Sequence, residues 1–219
     1  MSQATPTAAP LTVVLVHGAF ADASSWTGVI ERLQAGGVQV TAPANPLRGI
    51  SIDSAYIASV FDQIPGPVLA VGHSYGGAVI TKAATKARNV VGLVYVAAFA
   101  PDEGERLSDA ESTSKDSVLS TALVPLQYPT GQGAETAVEF AVNLAHFHDA
   151  FAADLPAWKT LPAWAVVATG DKAAGSDVIR SMAQRAGATI TEVEGSHVIM
   201  ISQPQAVTDV ILRAVAAVG

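Results

Sequence analysis

Short valine-rich runs alternate along this chain with longer stretches of helical periodicity, and no other feature constrains the fold as strongly. The runs are apolar over most of their length rather than at every second position, which is typical of strands buried on both faces of a parallel sheet. The predicted strands are 11–16 (LTVVLV), 38–43 (VQVTAP), 67–72 (PVLAVG), 90–98 (VVGLVYVAA), 163–169 (AWAVVAT) and 189–194 (TITEVE). The predicted helices are 24–35, 51–64, 75–87, 176–186 and 204–218. This alternation predicts a doubly wound α/β fold.

One segment, 99–162, departs from the alternation. It contains serine, threonine and proline clusters, a PTGQG turn and an amphipathic pattern near 135–151, but no run that resembles a strand. We therefore expect an insertion after the fourth strand that carries one helix. Half of the 219 residues are hydrophobic, which is enough to bury one large core. We expect residues 1–219 to form a single domain.

Charge and cysteine content exclude several classes of function. Only 14% of the residues are charged and the net charge is −7, so nothing indicates binding to nucleic acid or to an anionic membrane. The lack of cysteine excludes disulfides, thiolate metal sites and a cysteine nucleophile. Residues 1–10 lack the pattern of a secretion signal, and no apolar run reaches the about 20 residues of a membrane span. We expect a soluble, cytoplasmic protein.

The stretch 69–80, LAVGHSYGGAVI, places a serine between a predicted strand and a predicted helix. A tight strand-to-helix turn strains its central residue and crowds its neighbours, so the residues two before and two after must be small. Gly72 and Gly76 hold those positions around Ser74, and the pattern fits the G-x-S-x-G nucleophile elbow. The alternative is a glycine-rich turn whose serine caps a helix. The rest of the chain must decide between them.

Two further polar residues follow predicted strands, where the ligands of open parallel sheets gather. Asp171 follows the fifth strand and His197 follows the sixth, so the chain order is Ser, Asp, His, as expected after such an elbow. A hydroxyl, an imidazole and a carboxylate together suit nucleophilic catalysis. Taken on its own, each residue has a structural alternative: Asp171 would cap the following helix, and His197 would be an ordinary turn residue. The rival carboxylates for this role are Asp102, Glu103, Asp177 and Glu194.

Acyl transfer also needs N–H donors for the oxyanion, one from the residue after the nucleophile and one from a loop after another strand. The first is Tyr75. The second is expected from VHGAF (16–20), where Gly18 lets the backbone turn and present the N–H of Ala19. His17 is interpreted as structural, because His197 already supplies a base.

The motifs LVHGAF, VGHSYGG, TGDK and EGSHVIM resemble, in that order, the α/β-hydrolase superfamily. They are most similar to the small branch containing plant methylesterases, hydroxynitrile lyases and related bacterial esterases, as are PANPLRG (43–49) and AAFAPDEGE (97–105). The resemblance implies a triad of Ser74, Asp171 and His197, oxyanion donors at Ala19 and Tyr75, and no metal or organic cofactor. It also implies the strand order second, first, third, fourth, fifth, sixth, with 99–162 as a lid.

Two features depart from that branch. The lid is shorter than usual, which indicates an open pocket. The acid loop reads TGDKAAGSD and lacks the proline that commonly follows the aspartate by a few residues, so less fixes the position of Asp171.

The expected activity is a carboxylesterase acting on small to medium esters through an acyl-enzyme. Phe20, Trp26 and Tyr75 suggest a substrate with modest apolar groups, although Trp26 fits core packing better. A hydroxynitrile lyase is the nearest competing activity, but it would carry a lysine and a threonine where this chain has Val198 and Gly18. A cofactor-free perhydrolase and a slow ligand-binding receptor are two further functions that the same fold could carry.

Two weaker patterns concern partners. His146 and His148 stand near Asp149, but residues two apart on a helix point to different faces, so we expect no metal site. The alanine-rich end, 213–219, suggests an apolar patch that would support a homodimer.

Overall fold

A computed structural model describes residues 9–124, 126–130, 133–138, 142–143 and 155–219. Its central strands are β1 (Thr12–Val16), β2 (Gln39–Thr41), β3 (Val68–His73), β4 (Val90–Val96), β8 (Ala163–Ala168) and β9 (Thr189–Val193). They form a six-stranded sheet in the order β2-β1-β3-β4-β8-β9, with every neighbouring pair parallel. The expected fold class and strand order are confirmed.

Helices cover both faces of this sheet, and each face has its own core. The helices are α1 (Thr27–Ala35), α2 (Ile50–Asp62), α3 (Tyr75–Ala83), α6 (Ser176–Arg185), α7 (Ile199–Ser202) and α8 (Pro204–Val218). Residues of α2, α3 and α6 belong to one core, and those of α1, α7 and α8 belong to the other. Along β1, Val14 and Val16 face the first core while Val13 and Leu15 face the second. The strand is therefore apolar throughout because both of its faces are buried.

The insertion contains strands, contrary to the sequence-based expectation. After α4 (Leu107–Ser112) and α5 (Leu119–Ala122) come β5 (Leu126–Thr130), β6 (Gly133–Val138) and β7 (Val142–Asn143), which form an antiparallel sheet. The prediction of a helix from residue 135 is wrong for β6 and β7, because β6 pairs with β5 and β7 pairs with β6, and this cross-strand pairing overrides the local amphipathic pattern. Residues 139–141 and 144–151 of the predicted helix lie outside the described residues.

Because the strands are parallel, the residues that follow β3, β8 and β9 all lie at the carboxyl-terminal edge of the sheet, where the strands end. These residues include Ser74, Asp171 and His197. Within the described ranges, no helix combines the length and the apolar character needed to cross a membrane.

Candidate active site

The turn between β3 and α3 holds Ser74 in a strained conformation. Its φ of 53° and ψ of −124° lie outside the usual regions for a residue with a side chain. A Cβ added to Gly72 would lie 2.5 Å from the carbonyl oxygen of Gly76, and one added to Gly76 would lie 2.4 Å from that of Val16. Only glycine fits at these positions, since the strand, the turn and β1 approach each other at backbone contact distance.

Ser74, His197 and Asp171 form a continuous hydrogen-bonded chain. The Ser74 Oγ atom lies 2.9 Å from His197 Nε2, and His197 Nδ1 lies 2.7 Å from Asp171 Oδ2. A carboxylate accepts hydrogen bonds, so Nδ1 carries the proton and Nε2 is left to accept from the serine hydroxyl. Asp171 is only 1% exposed, so this chain of bonds runs from a buried carboxyl group towards the edge of the sheet. The arrangement can remove a proton from Ser74.

The loop after β8 orients Asp171. Its Oδ1 atom accepts hydrogen bonds from the N–H groups of Ala173 and Ala174, at 2.9 and 3.0 Å. Oδ2 therefore faces the imidazole. Of the rival carboxylates suggested by the sequence, Asp102 pairs with Lys159 and Asp177 accepts from Ser114.

The loop after β1 packs directly against the serine. A Cβ added to Gly18 would lie 2.8 Å from Ser74 Cβ, so no larger residue fits there without a shift. Ala19 is buried beside it, and Tyr75 is the first residue of α3, where N–H groups point out of the helix end. His17 is also buried, and its Nε2 accepts from the N–H of Asn45 at 2.8 Å. That bond agrees with the structural interpretation of His17.

His73 is a site residue that sequence reasoning missed. It is buried, and its Nε2 lies 3.0 Å from the carbonyl oxygen of His197, while the two rings are 4.8 Å apart. Burial, and then the nearby His197 ring, hold the pKa of His73 well below 6.5. The neutral ring donates from Nε2 to the carbonyl and thereby fixes the backbone of His197. No sequence signal identifies this partner, because His73 stands inside the elbow motif and its contact lies 124 positions away.

Asp53 is the second residue missed. It lies in the first turn of α2 and is completely buried. Its Oδ2 accepts from the Tyr75 hydroxyl at 2.7 Å and its Oδ1 accepts from the N–H of Arg48 at 2.9 Å. The Tyr75 side chain is therefore directed towards α2, while the backbone of the same residue adjoins Ser74. An acidic residue at a helix start usually indicates only favourable helix-end electrostatics, so no local pattern pointed to this contact.

A cavity of about 640 Å³ is lined by residues next to the site in sequence, including Val198, although Ser74, His197 and Asp171 are not among its lining residues. Its described lining includes Phe20, Leu47, Val198 and Ile201 together with polar groups such as Asn45. Val198 follows His197 directly and is 39% exposed. Of the three aromatic residues suggested by the sequence, Phe20 lines this cavity.

Trp26, by contrast, is fully buried in the core, as its packing interpretation predicts. His146, His148 and Asp149, considered as metal ligands, lie outside the described residues.

Comparisons with known proteins give the same fold. No curated protein matches the chain. A pyrethroid hydrolase structure superposes with a TM-score of 0.77 at 19% identity, covering 95% of this chain and 98% of that one. Polyneuridine aldehyde esterase gives a TM-score of 0.77 at 19% identity, covering 94% and 99%. An extracellular α/β-hydrolase from a Paenibacillus species gives a TM-score of 0.66 at 20% identity, covering 94% and 99%.

A family model spans nearly the whole chain. The model described as the alpha/beta hydrolase family matches residues 13–210, from β1 into α8. The matched residues include Ser74, Asp171 and His197, which the hydrogen bonds connect, and both glycines of the elbow. The protein belongs to the alpha/beta hydrolase family.

Proposed function

We propose that this protein is a serine carboxylesterase that cleaves small to medium esters through an acyl-enzyme. The observation that carries the proposal is the bonded chain from Ser74 through His197 to Asp171, with separations of 2.9 and 2.7 Å. It joins a nucleophile, a base and the group that orients the base.

The first half-reaction forms the acyl-enzyme. His197 Nε2 takes the hydroxyl proton as Ser74 Oγ attacks the ester carbonyl carbon, and the carbonyl oxygen becomes an oxyanion. The N–H groups of Ala19 and Tyr75 are proposed to stabilise this charge. His197 then returns the proton to the alcohol oxygen as the carbon–oxygen bond breaks, and the acid part of the ester remains on Ser74.

Water completes the reaction. His197 removes a proton from a water molecule that attacks the acyl carbonyl, and the proton passes to Ser74 Oγ as the acid leaves. Asp171 keeps its hydrogen bond to Nδ1 throughout and stabilises the imidazolium formed in each half-reaction.

The surroundings of Ser74 favour an ester over a cyanohydrin. A lyase of the related branch would need a threonine hydroxyl at the position of Gly18 and a cation at Val198. A Cβ at Gly18 would meet Ser74 Cβ at 2.8 Å, and Val198 contributes an apolar side chain to the cavity. Phe20, Leu47 and Ile201 add further apolar surface, which suits a modest alkyl or aryl group.

The test is hydrolysis of a series of p-nitrophenyl esters of increasing acyl length by wild type and Ser74→Ala. Loss of a triad nucleophile costs about 10⁴- to 10⁶-fold in turnover, far more than a packing change. Ser25→Ala is the matched control, since Ser25 also lines the cavity and its hydroxyl donates to the carbonyl of Asp22 rather than to the bonded chain. Equal rates in wild type and Ser74→Ala would contradict the proposal.

A further inference from the structure

The loop that carries Asp171 is held by a distant part of the chain. We call residues 171–177, which end with the first two residues of α6, the acid loop. We call residues 114–118, which lie between α4 and α5, the clamp segment. The acid loop contains no proline, so its own sequence does little to restrict its backbone. The N–H of Val118 donates to the carbonyl of Lys172 at 2.8 Å. Ser117 Oγ lies 2.6 Å from the carbonyl oxygen of Ala173 and also within hydrogen-bond distance of Glu111 Oε1, so these two acceptors share its one proton.

These two contacts fall on the two peptide groups that orient Asp171. The carbonyl of Lys172 and the N–H of Ala173 belong to one planar peptide group, and the carbonyl of Ala173 and the N–H of Ala174 belong to the next. Each group donates to Asp171 Oδ1 on one edge and accepts from the clamp segment on the other. Because a peptide group is rigid, fixing its carbonyl also fixes the direction of its N–H.

Side chains fasten the rest of the clamp segment to the loop. Ser114 Oγ donates to Asp177 Oδ1 at 2.5 Å and accepts from the N–H groups of Asp116 and Ser117, both at 3.0 Å. Ser176 Oγ lies 2.7 Å from Asp116 Oδ2. A Cβ added to Gly175, whose φ is +88°, would lie 2.0 Å from Ser114 Oγ. The loop therefore needs glycine at this position because the clamp segment rests on it.

Both carboxyl groups of this contact are held in the ionised form. Hydrogen bonds from Ser176 and then Lys172 lower the pKa of Asp116. Burial raises the pKa of Asp177, but the hydrogen bonds from Ser114 and from the N–H of Lys115 outweigh it, so that pKa is lowered overall. Each carboxylate is thus a hydrogen-bond acceptor in the contact at neutral pH.

We infer that the clamp segment is a positioning device for the active site. Ser117 and the N–H of Val118 fix the two peptide groups that aim Asp171 at His197, and Ser114 and Asp116 hold the clamp segment in place. These are positioning residues, since their side-chain hydrogen bonds go to the acid loop, to the clamp segment itself and, from Ser117, to Glu111 of α4, rather than to the imidazole or the serine. The expected effect on turnover rests on the proposed esterase function, whereas the expected effect on the hydrogen bond between Asp171 and His197 does not.

The test uses the full-length protein and four variants. Ser117→Ala removes the hydroxyl that contacts both the Ala173 carbonyl and Glu111, and Ser117→Thr keeps it. Ser112→Ala is the matched control, because Ser112 lies in α4 and its hydroxyl bonds to the carbonyl of Asp109 in its own helix. Asp116→Asn is a second variant, on the surface, in case Ser117→Ala does not fold. Thermal unfolding establishes which variants are folded.

Two readouts separate positioning from general stability. The first is kcat and KM for the preferred p-nitrophenyl ester. The second is the far-downfield proton resonance of the His197 Nδ1–H, which reports its hydrogen bond to Asp171 without any turnover. We expect Ser117→Ala to lower kcat by roughly tenfold to a hundredfold with little change in KM, since small misplacements of reacting groups have effects of this size. The resonance should weaken or move upfield, Ser117→Thr should restore both readouts, and Asp116→Asn should shift them in the same direction by less.

Unchanged kcat and an unchanged resonance in folded Ser117→Ala and Asp116→Asn would overturn the inference. A change of the same size in Ser112→Ala would also overturn it, since the effect would then not depend on the acid loop. If wild type hydrolyses no ester, the proposed function fails, yet the resonance still decides whether the clamp segment positions Asp171.

Discussion

The elbow around Ser74 and the acid loop around Asp171 are held in place by different forces. The elbow is fixed by close backbone contacts, since Gly72 and Gly76 leave no room for a Cβ. The acid loop is fixed by hydrogen bonds from the clamp segment, such as that between Ser117 and Ala173, which are 56 positions apart. The elbow can be recognised from the five-residue motif around Ser74. The fixation of the acid loop depends on the clamp segment, which belongs to the insertion after β4. An added methyl group, or a change of pH, should therefore affect stability and turnover differently in the two regions.

The largest effect is expected from adding a methyl group to the elbow. In Gly76→Ala the new Cβ would lie 2.4 Å from the carbonyl oxygen of Val16, so strand β1 or the turn must move. We expect a loss of about 3 kcal/mol or more in the free energy of unfolding, as for severe overpacking. Urea unfolding measures it. Gly36→Ala is the control, because its added Cβ makes contacts of 3.4 Å or longer; similar losses in both variants would argue against a steric elbow.

A methyl group in the acid loop should cost less stability but affect turnover. In Gly175→Ala the left-handed backbone costs about 1 kcal/mol, and the contact with Ser114 Oγ adds to it. The clamp segment must shift, so kcat should fall.

The matched control for Gly175→Ala is Gly187→Ala. Gly187 has a φ of +64° but its added Cβ would meet nothing within 4 Å. It should therefore lose a similar amount of stability to backbone strain and keep its kcat. Equal kcat in the two variants would show that contact with the clamp segment does not matter for turnover.

The effect expected to be smallest near neutral pH is a difference in pH dependence between the two regions. Burial holds the pKa of His73 below its unfolded value of 6.5, so the unfolded state binds the proton more readily. Stability from this group is complete above pH 6.5 and falls as the pH drops below it, by at most about 1.4 kcal/mol per pH unit. The pKa values of Asp116 and Asp177 are also lowered, from 3.8, so their contribution is lost only as the pH falls below 3.8.

Urea unfolding at a series of pH values separates these two contributions. Between pH 8 and pH 5, His73→Gln should show a flatter dependence than wild type, while Asp177→Asn should follow wild type. An unchanged slope in His73→Gln would contradict the assignment of that dependence to the elbow.

The sequence predicted the parts of the site that are encoded locally. Buried strands follow from apolar runs, so the sheet and the positions of Ser74, Asp171 and His197 at its edge could be expected from the order of residues along the chain. The elbow could be predicted because its pattern is local: Gly72 approaches Gly76 within the same turn, although the approach of Gly76 to Val16 of β1 depends on the folded sheet.

Contacts between distant polar residues could not be predicted in this way. His73 with His197, Asp53 with Tyr75 and Ser117 with Ala173 each join segments whose approach depends on the folded topology. Serine and aspartate in the insertion carry no periodicity that would indicate a partner. Where the predicted helix falls on described residues, 135–138 and 142–143, it is wrong for the same reason, because β6 pairs with β5 and β7 pairs with β6.

The proposed role of Ser74 as a nucleophile activated by His197 can be tested directly by covalent labelling. The measurement is intact-protein mass spectrometry after treatment with a fluorophosphonate, which reacts with activated serines and leaves a stable adduct. We expect a single adduct per chain, located on the peptide that contains Ser74, absent from Ser74→Ala and formed much more slowly in His197→Ala. An unlabelled wild type, or equal labelling of wild type and Ser74→Ala, would contradict this role.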